Sequence, residues 1–227
     1  MTRSEFAKLI DHTALKPDTT REMIHRLCEE AKLYSFRTVC IAPYWISEAK
    51  NLLMNSQVDI STVVGFPLGN ILIKEKVSET IEAINQGSDE IDAVMNIGAF
   101  LSGETKYIFD EITAIVNASK STKSNVLVKI IIETCYLTKE QIITASHIVE
   151  DAGADFVKTS TGFAPKGALA SDVETIKSSL KKGIGIKAAG GIRDLSSALA
   201  MIKAGATRLG CSASVSIINE IPDKRIN

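Results

Sequence analysis

Eight short apolar runs, each followed by a longer stretch of helical character, recur from one end of this chain to the other, and that alternation limits the possible folds more than any single motif does. The runs read LIDHT, TVCIAP, ISTVVGFP, EIDAVMN, VLVKIIIE, FVKTST, GIKAAG and RLGCSA. Between them lie stretches such as REMIHRLCEEAKLY, KEKVSETIEAINQG, KEQIITASHIVEDAG and DLSSALAMIKAG. The last three end at Gly87, Gly153 and Gly205, where a helix C-terminus favours glycine for its tolerance of positive φ. Eight βα units in 227 residues predict an α/β fold of the (β/α)8 TIM-barrel class, with residues 1–227 as one domain. A doubly wound open sheet is the rival. That fold usually carries a Gly-rich first turn for a nucleotide, and DHTALKPDTT has none.

Several of the strand-like runs hold charges. Side chains alternate across a strand, so Phe156, Lys158 and Ser160 share a face, as do Gly185, Lys187 and Ala189. The same count groups Glu90, Asp92, Val94 and Asn96 on the fourth run and Lys129, Ile131 and Glu133 on the fifth, with Asp11 near the end of the first. If these faces point inward, three lysines and two or three carboxylates meet near the barrel mouth. A self-neutralising ion-pair network is the plain alternative, but buried ion pairs roughly break even against apolar packing. Chemistry explains a cluster of that size better, because perturbed titrating groups gather at reaction sites.

A lysine amine is a nucleophile only when neutral, and at its ordinary pKa of about 10.4 fewer than about one in a thousand is neutral at pH 7. Lys158 and Lys187 fall on adjacent predicted strands. At roughly 5 to 6 Å and an effective dielectric of about 20, their repulsion is about 3 kcal/mol, which lowers one of them by about two pKa units. Burial adds to that shift, while Asp92 keeps Lys187 charged. The expected division is a neutral nucleophile, a charged partner and a carboxylate, which suits Schiff-base chemistry on a carbonyl substrate.

The three histidines, His12, His25 and His147, share no ligand spacing, so no metal is expected, and no G-x-S-x-G elbow marks a serine nucleophile. After the last two strand-like runs come AAGGIRD and LGCSAS, which put Gly190, Gly191, Gly210 and Ser212 where TIM barrels bind phosphate. A short helix starting at Ser212 would add its dipole. Ordinary tight turns are the alternative for these glycines. The net charge of -1 speaks against a nucleic-acid partner, and no apolar run is long enough for a membrane span. The start, MTRSEFAKLIDHT, has no apolar run before a cleavage site, and Cys28, Cys40, Cys135 and Cys211 form no C-x-x-C pair. A cytoplasmic protein with reduced thiols is expected, assembled as a homo-oligomer, dimer or tetramer.

Taken as an ordered set, IDHTALKP, VCIAP, VVGFPLG, EIDAVMNIG, VKIIIET, FVKTSTGF, KAAGGIR and RLGCSAS make the chain resemble the 2-deoxyribose-5-phosphate aldolases, a class I aldolase family. The resemblance covers nearly the whole chain. It implies a (β/α)8 fold, no cofactor of any kind, and reversible cleavage of 2-deoxy-D-ribose 5-phosphate to D-glyceraldehyde 3-phosphate and acetaldehyde. It further implies Lys158 as the Schiff-base lysine, Lys187 as the partner that perturbs it, and Asp92 as the proton-relay carboxylate. By the same resemblance Lys129 and Glu133 line the pocket, Asp11 and Thr13 lie near the substrate, and Gly162, Gly190, Gly191, Gly210 and Ser212 hold the phosphate. Three departures stand out. Ala213 follows Ser212 where many relatives have a second serine, which implies weaker phosphate binding; Phe163 stands where some have a lysine; and IPDKRIN carries no terminal tyrosine, leaving proton transfer to Asp92, Lys187 and water. Another phosphosugar Schiff-base lyase or transaldolase, and a phosphosugar-binding barrel without turnover, remain the other readings.

Overall fold

A computed structural model describes residues 1–222; the end of the IPDKRIN segment lies outside the described residues. From the N-terminus the elements are α1 (Arg3–Ala7), β1 (Ile10–Ala14), α2 (Arg21–Tyr34), β2 (Thr38–Ile41), α3 (Ile46–Leu52), β3 (Asp59–Val64), α4 (Ile73–Gln86), β4 (Glu90–Val94) and α5 (Ile97–Leu101). There follow α6 (Thr105–Thr122), β5 (Leu127–Ile131), α7 (Lys139–Asp151), β6 (Phe156–Lys158), α8 (Ala170–Ser179), β7 (Gly185–Ala189), α9 (Leu195–Ala204), β8 (Arg208–Cys211) and α10 (Ser214–Asn219). Each strand pairs in parallel with the next, and β8 returns to β1, closing the barrel. The Leu209 N–H, which donates to the Leu9 carbonyl at 2.7 Å, helps seal that last seam. Each of the eight strands coincides with one of the eight apolar runs, β1 extending one residue past its run to Ala14 and β3 starting one residue early at Asp59, so the TIM-barrel class expected from the sequence is the observed one.

The apolar core lies between the strands and the helical ring. Outward-facing Val39, Ile60, Ile91, Val128, Ile130, Val157, Ile186 and Leu209 are all buried there, and each such side chain stabilises the barrel by roughly 1.5–3 kcal/mol. Helix ends follow local rules. Thr20, Thr138 and Asp194 cap their helices with side-chain oxygens, and Gly87 and Gly205 terminate α4 and α9 at φ 123° and 119°. A buried pair, Lys76 and Glu111 at 2.7 Å, ties α4 and α6 to the top of β4, since Lys76 also donates to the Val94 carbonyl and Glu111 accepts from the Asn96 N–H.

The barrel interior differs from the usual stack of branched apolar layers. Its inward positions carry Asp11, Ser61, Glu90, Asp92, Lys129, Lys158, Lys187 and Arg208, all buried. Space for these long side chains comes from small residues opposite. A Cβ on Gly185 would lie 2.2 Å from the Phe156 ring, and one on Gly210 would lie 3.1 Å from Cε of Lys187. Gly185→Ala is therefore expected to push the Phe156 ring aside and destabilise the barrel by about 1–3 kcal/mol, read as a lower urea midpoint.

Candidate active site

The interior charges form a closed ring. Asp92 accepts from Lys129 at 2.6 Å, and Lys129 reaches Glu90 at 2.6 Å. Glu90 accepts from Arg208 at 2.9 Å, and Arg208 donates to Asp11 at 2.6 Å. Asp11 contacts Lys187, which returns to Asp92 at 2.7 Å. Three carboxylates and three cations thus alternate around the ring and cancel. Lys158 stands outside it, donating at 2.7 Å to the same Asp92 Oδ2 that Lys187 uses. Among the described residues Lys158 pairs with one carboxylate, whereas each of the three ring cations pairs with at least two. Its side chain is 3% exposed while those of Lys129 and Lys187 are 0% exposed. The one surplus cation is thus the one nearest the open end.

Titration follows from these contacts. Burial favours the neutral amine of Lys158 and the charged Lys187 beside it adds to that, so its pKa falls below the ordinary lysine value although Asp92 opposes the shift. Burial also disfavours charge on Lys187, but Asp11 and Asp92 outweigh it and raise that pKa. Lys129 is raised likewise: burial acts against its charge and Asp92 and Glu90 overcome it. Asp92 and Asp11 lie well below the usual carboxylate range, because the surrounding cations more than offset their burial. Two lysines on neighbouring strands, paired in register, are therefore driven in opposite directions.

Strand ends build the mouth. Lys158 is the last residue of β6, and the chain beyond it is pinned to the end of β5: the Thr161 N–H donates to both Glu133 oxygens at 3.3 and 3.2 Å, and its hydroxyl donates to one of them. Burial raises the Glu133 pKa against those bonds. Farther along, Gly167 packs so tightly on Gly190 that a Cβ would lie 2.2 Å from the Gly190 carbonyl oxygen. Gly162 and Gly190 also approach closely, both with positive φ. Gly191, at φ 79°, has open space where a Cβ would project. Across the opening, the Phe66 ring beyond β3 meets the Phe163 ring beyond β6 edge to face at 5.3 Å.

The structure brings together Lys158, Lys187, Asp92, Lys129 and Asp11, and sets Glu133 at the rim above them. Thr13 is half-buried on β1, its hydroxyl donating to the Asp11 carbonyl at 2.9 Å. Gly162, Gly190 and Gly191 gather at the ends of β6 and β7, while Gly210 lies inside β8 and makes room for Lys187; Ser212 is exposed just beyond it.

Three details differ from expectation. The last helix begins at Ser214, not Ser212, because the Ser214 hydroxyl bonds back to the Cys211 carbonyl and Ala213 sits at the N-cap. Asn96 does not share the Asp92 face, since β4 ends at Val94 and the Asn96 side chain caps α5. Glu133 lies past the end of β5 with φ 42°, so strand alternation does not place it; its bonds to Thr161 do. Arg208 and Ser61 were absent from the predicted site, and Glu90 was placed on its inner face without a role. The inward count on RLGCSA and ISTVV would have found the first two.

The model of the DeoC/LacD family aldolases matches residues 6–216. A deoxyribose-phosphate aldolase of Caldicellulosiruptor saccharolyticus is 50% identical over 220 residues, spanning 97% of this chain and all of the relative. One from Caldanaerobacter subterraneus subsp. tengcongensis is 50% identical over 214 residues, spanning 94% of this chain and 92% of the relative. Among solved structures, the deoxyribose phosphate aldolase of Aeropyrum pernix, described as having a unique tetrameric structure, is 32% identical with a TM-score of 0.89, covering 96% of this chain and 91% of its own.

Proposed function

The chain belongs to the DeoC/LacD family of aldolases, and on that footing we propose that it reversibly cleaves 2-deoxy-D-ribose 5-phosphate to D-glyceraldehyde 3-phosphate and acetaldehyde through a Schiff base on Lys158. The observation that carries the role of Lys158 is its position outside a charge-balanced ring at the open end of the barrel. Neutral Nζ attacks the C1 aldehyde to give a carbinolamine, which loses water to an iminium. Acetaldehyde keeps C1 and C2, so C2–C3 is the bond that breaks. The C3 hydroxyl gives up its proton, a C3 carbonyl forms, and the bonding pair moves into the iminium to give an enamine. Protonation at C2 and hydrolysis release acetaldehyde and restore the amine.

Asp92 is the carboxylate placed to move these protons, with water and with Lys187, because its Oδ2 accepts from both lysines. Lys129 holds the other Asp92 oxygen, and Asp11 holds Lys187. Glu133 fixes the loop that follows the nucleophile, and Thr13 borders the pocket. Backbone around Gly162, Gly190 and Gly191, with Gly210 and Ser212, would take the phosphate; positive φ at the first three lets main-chain atoms approach an anion without a Cβ in the way. The reading takes 1–227 as one barrel domain, working in the cytoplasm as a dimer or tetramer. Four free thiols and the tetrameric Aeropyrum pernix relative support those last points, and no helix among the described residues is long and apolar enough to cross a membrane.

Treating the protein with acetaldehyde or deoxyribose 5-phosphate and borohydride, then mapping peptides by mass, is the direct test. A reduced adduct on Lys158 is expected. An adduct on Lys129 or Lys187 would overturn the assignment, and transfer of dihydroxyacetone without acetaldehyde release would overturn the substrate.

A further inference from the structure

The ring reaches well away from the carbonyl chemistry. Glu90 and Arg208 are the first residues of β4 and β8, at the N-terminal end of the barrel, whereas Lys158 is the last residue of β6. Nothing in the mechanism needs Glu90 or Arg208 to touch substrate. Yet Arg208 donates to Asp11 at 2.6 Å and to both Glu90 oxygens at 3.2 and 2.9 Å, while Glu90 also takes Lys129 at 2.6 Å. The guanidinium lies 5.4 Å from the centre of the Phe156 ring, and that ring fills the space that Gly185 leaves free.

Buried ion pairs of this kind add little stability compared with apolar packing, so their placement calls for another reason. We propose that Arg208 and Glu90 are positioning residues that keep the ring at zero net charge and thereby set the pH at which Lys158 becomes a nucleophile. The inference rests on Lys158 being the Schiff-base lysine. With the ring balanced, the surplus proton is the one on Lys158, and the neutral amine is the state that balances the interior. Take away Arg208 and the ring carries one net negative charge, which holds the proton on Lys158. Take away the Glu90 charge and the ring becomes net positive, which expels that proton more readily.

Other charges near these groups are few and placed differently. Lys158 faces Asp92 on β4, Lys187 on β7, the Cys40 thiol on β2 and Glu133 beyond β5. Glu90 faces Lys129 on β5, Arg208 on β8 and, more distantly, Arg37 at 3.8 Å, which is itself paired with Asp59 at 2.6 Å. Arg208 faces Asp11 on β1 and Glu90 on β4, with Lys187 beside it in strand register. Arg37 and Asp59 cancel each other at the N-terminal rim. Contacts around Arg208 strongly favour its charged form, since Asp11 and Glu90 outweigh the effect of burial, so it acts as a fixed charge.

The test is the pH profile of kcat/KM for deoxyribose 5-phosphate cleavage, together with the pH dependence of borohydride trapping, in Arg208→Gln, Glu90→Gln and the double variant. A lone buried charge at this range displaces a lysine pKa by about one to two units. Arg208→Gln should move the acid limb up by that amount and lower the rate at pH 7 about tenfold or more, while Glu90→Gln should move the limb down. The double variant, neutral again, should return the limb towards its wild-type position. A purely structural role predicts lower activity with an unmoved limb in every variant. Shifts in the same direction, or none, with the adduct still on Lys158, would overturn the inference and leave the proposed function standing. An adduct elsewhere in the unmodified protein would overturn both. Should Arg208→Gln fail to fold, Glu90→Gln and the double variant still decide between a limb that moves and returns and one that does not.

Discussion

Replacing Lys158 with methionine is expected to reduce aldol cleavage by about 10^4-fold or more while leaving the barrel as stable as before, or slightly more so. Loss of the amine removes the covalent route altogether, since neither Lys129 nor Lys187 has any side-chain exposure and both are held charged by two carboxylates. The stability half of the expectation comes from the ring. Its three carboxylates and three cations remain paired without Lys158, so the substitution strands no buried charge. Methionine fills most of the vacated volume. The pH dependence has a defined sign: a lysine whose pKa is lowered by folding costs stability below its unfolded value of about 10.4, and that cost lessens as pH rises from the folded pKa to the unfolded one. The variant lacks this term, so its advantage should be greatest at lower pH and vanish near pH 10 and above. Steady-state assay and urea titration at two pH values check both halves. A Lys158→Met protein that is well folded and active would sink the role given to Lys158.

Asp92→Asn should have the opposite profile, damaging stability as well as activity. One Asp92 oxygen accepts from Lys158 and Lys187 at 2.7 Å, and the other accepts from Lys129 at 2.6 Å and from Ser61 at 3.2 Å. An amide of the same shape presents an NH2 group to ammonium groups and carries no charge. Breaking buried pairs in this way costs about 3–5 kcal/mol. The carboxylate's folded pKa lies well below its unfolded value, so its contribution is fully present above about pH 4 and is lost as pH falls towards the folded pKa. The wild-type protein should therefore lose stability in acid more steeply than the variant. Loss of the proton relay should lower kcat by about 10^2- to 10^4-fold, with borohydride still able to trap an adduct on Lys158. A variant with unchanged kcat would remove Asp92 from the proton path.

The two variants together separate the groups that the ring needs from the one it carries as surplus. On the proposed assignment Asp92 serves both the scaffold and the chemistry, whereas Lys158 serves the chemistry alone. Charge balance is the common ground of both expectations: among the described residues Lys129, Lys187 and Arg208 are each matched by at least two carboxylates, and Lys158 shares Asp92 with Lys187.

How much of this could be read from the chain depends on the range of the interactions. Apolar alternation in runs such as VLVKIIIE and GIKAAG marked the strands, since the outward side chains must meet the helices whatever lies inside. Counting by twos put Asp92, Lys129, Lys158 and Lys187 on one surface. Where the backbone left the strand, the count failed, as at Asn96, which turns to cap α5, and at Glu133, whose φ is positive. Position along the strand gives Arg208 no signal of a role, because barrel chemistry gathers at the C-terminal ends of strands and Arg208 is the first residue of β8.

Local pattern thus settled the strand–helix alternation and the inward face, because side-chain direction in a strand depends only on its own backbone. Closure of the charge ring came from the folded barrel. It joins residues as far apart in the chain as Asp11 and Arg208, which meet because β8 pairs with β1 and the register sets Asp11 opposite Gly210. Such contacts depend on how all eight strands stagger when the sheet closes, a property of the whole ring of hydrogen bonds that no single segment carries.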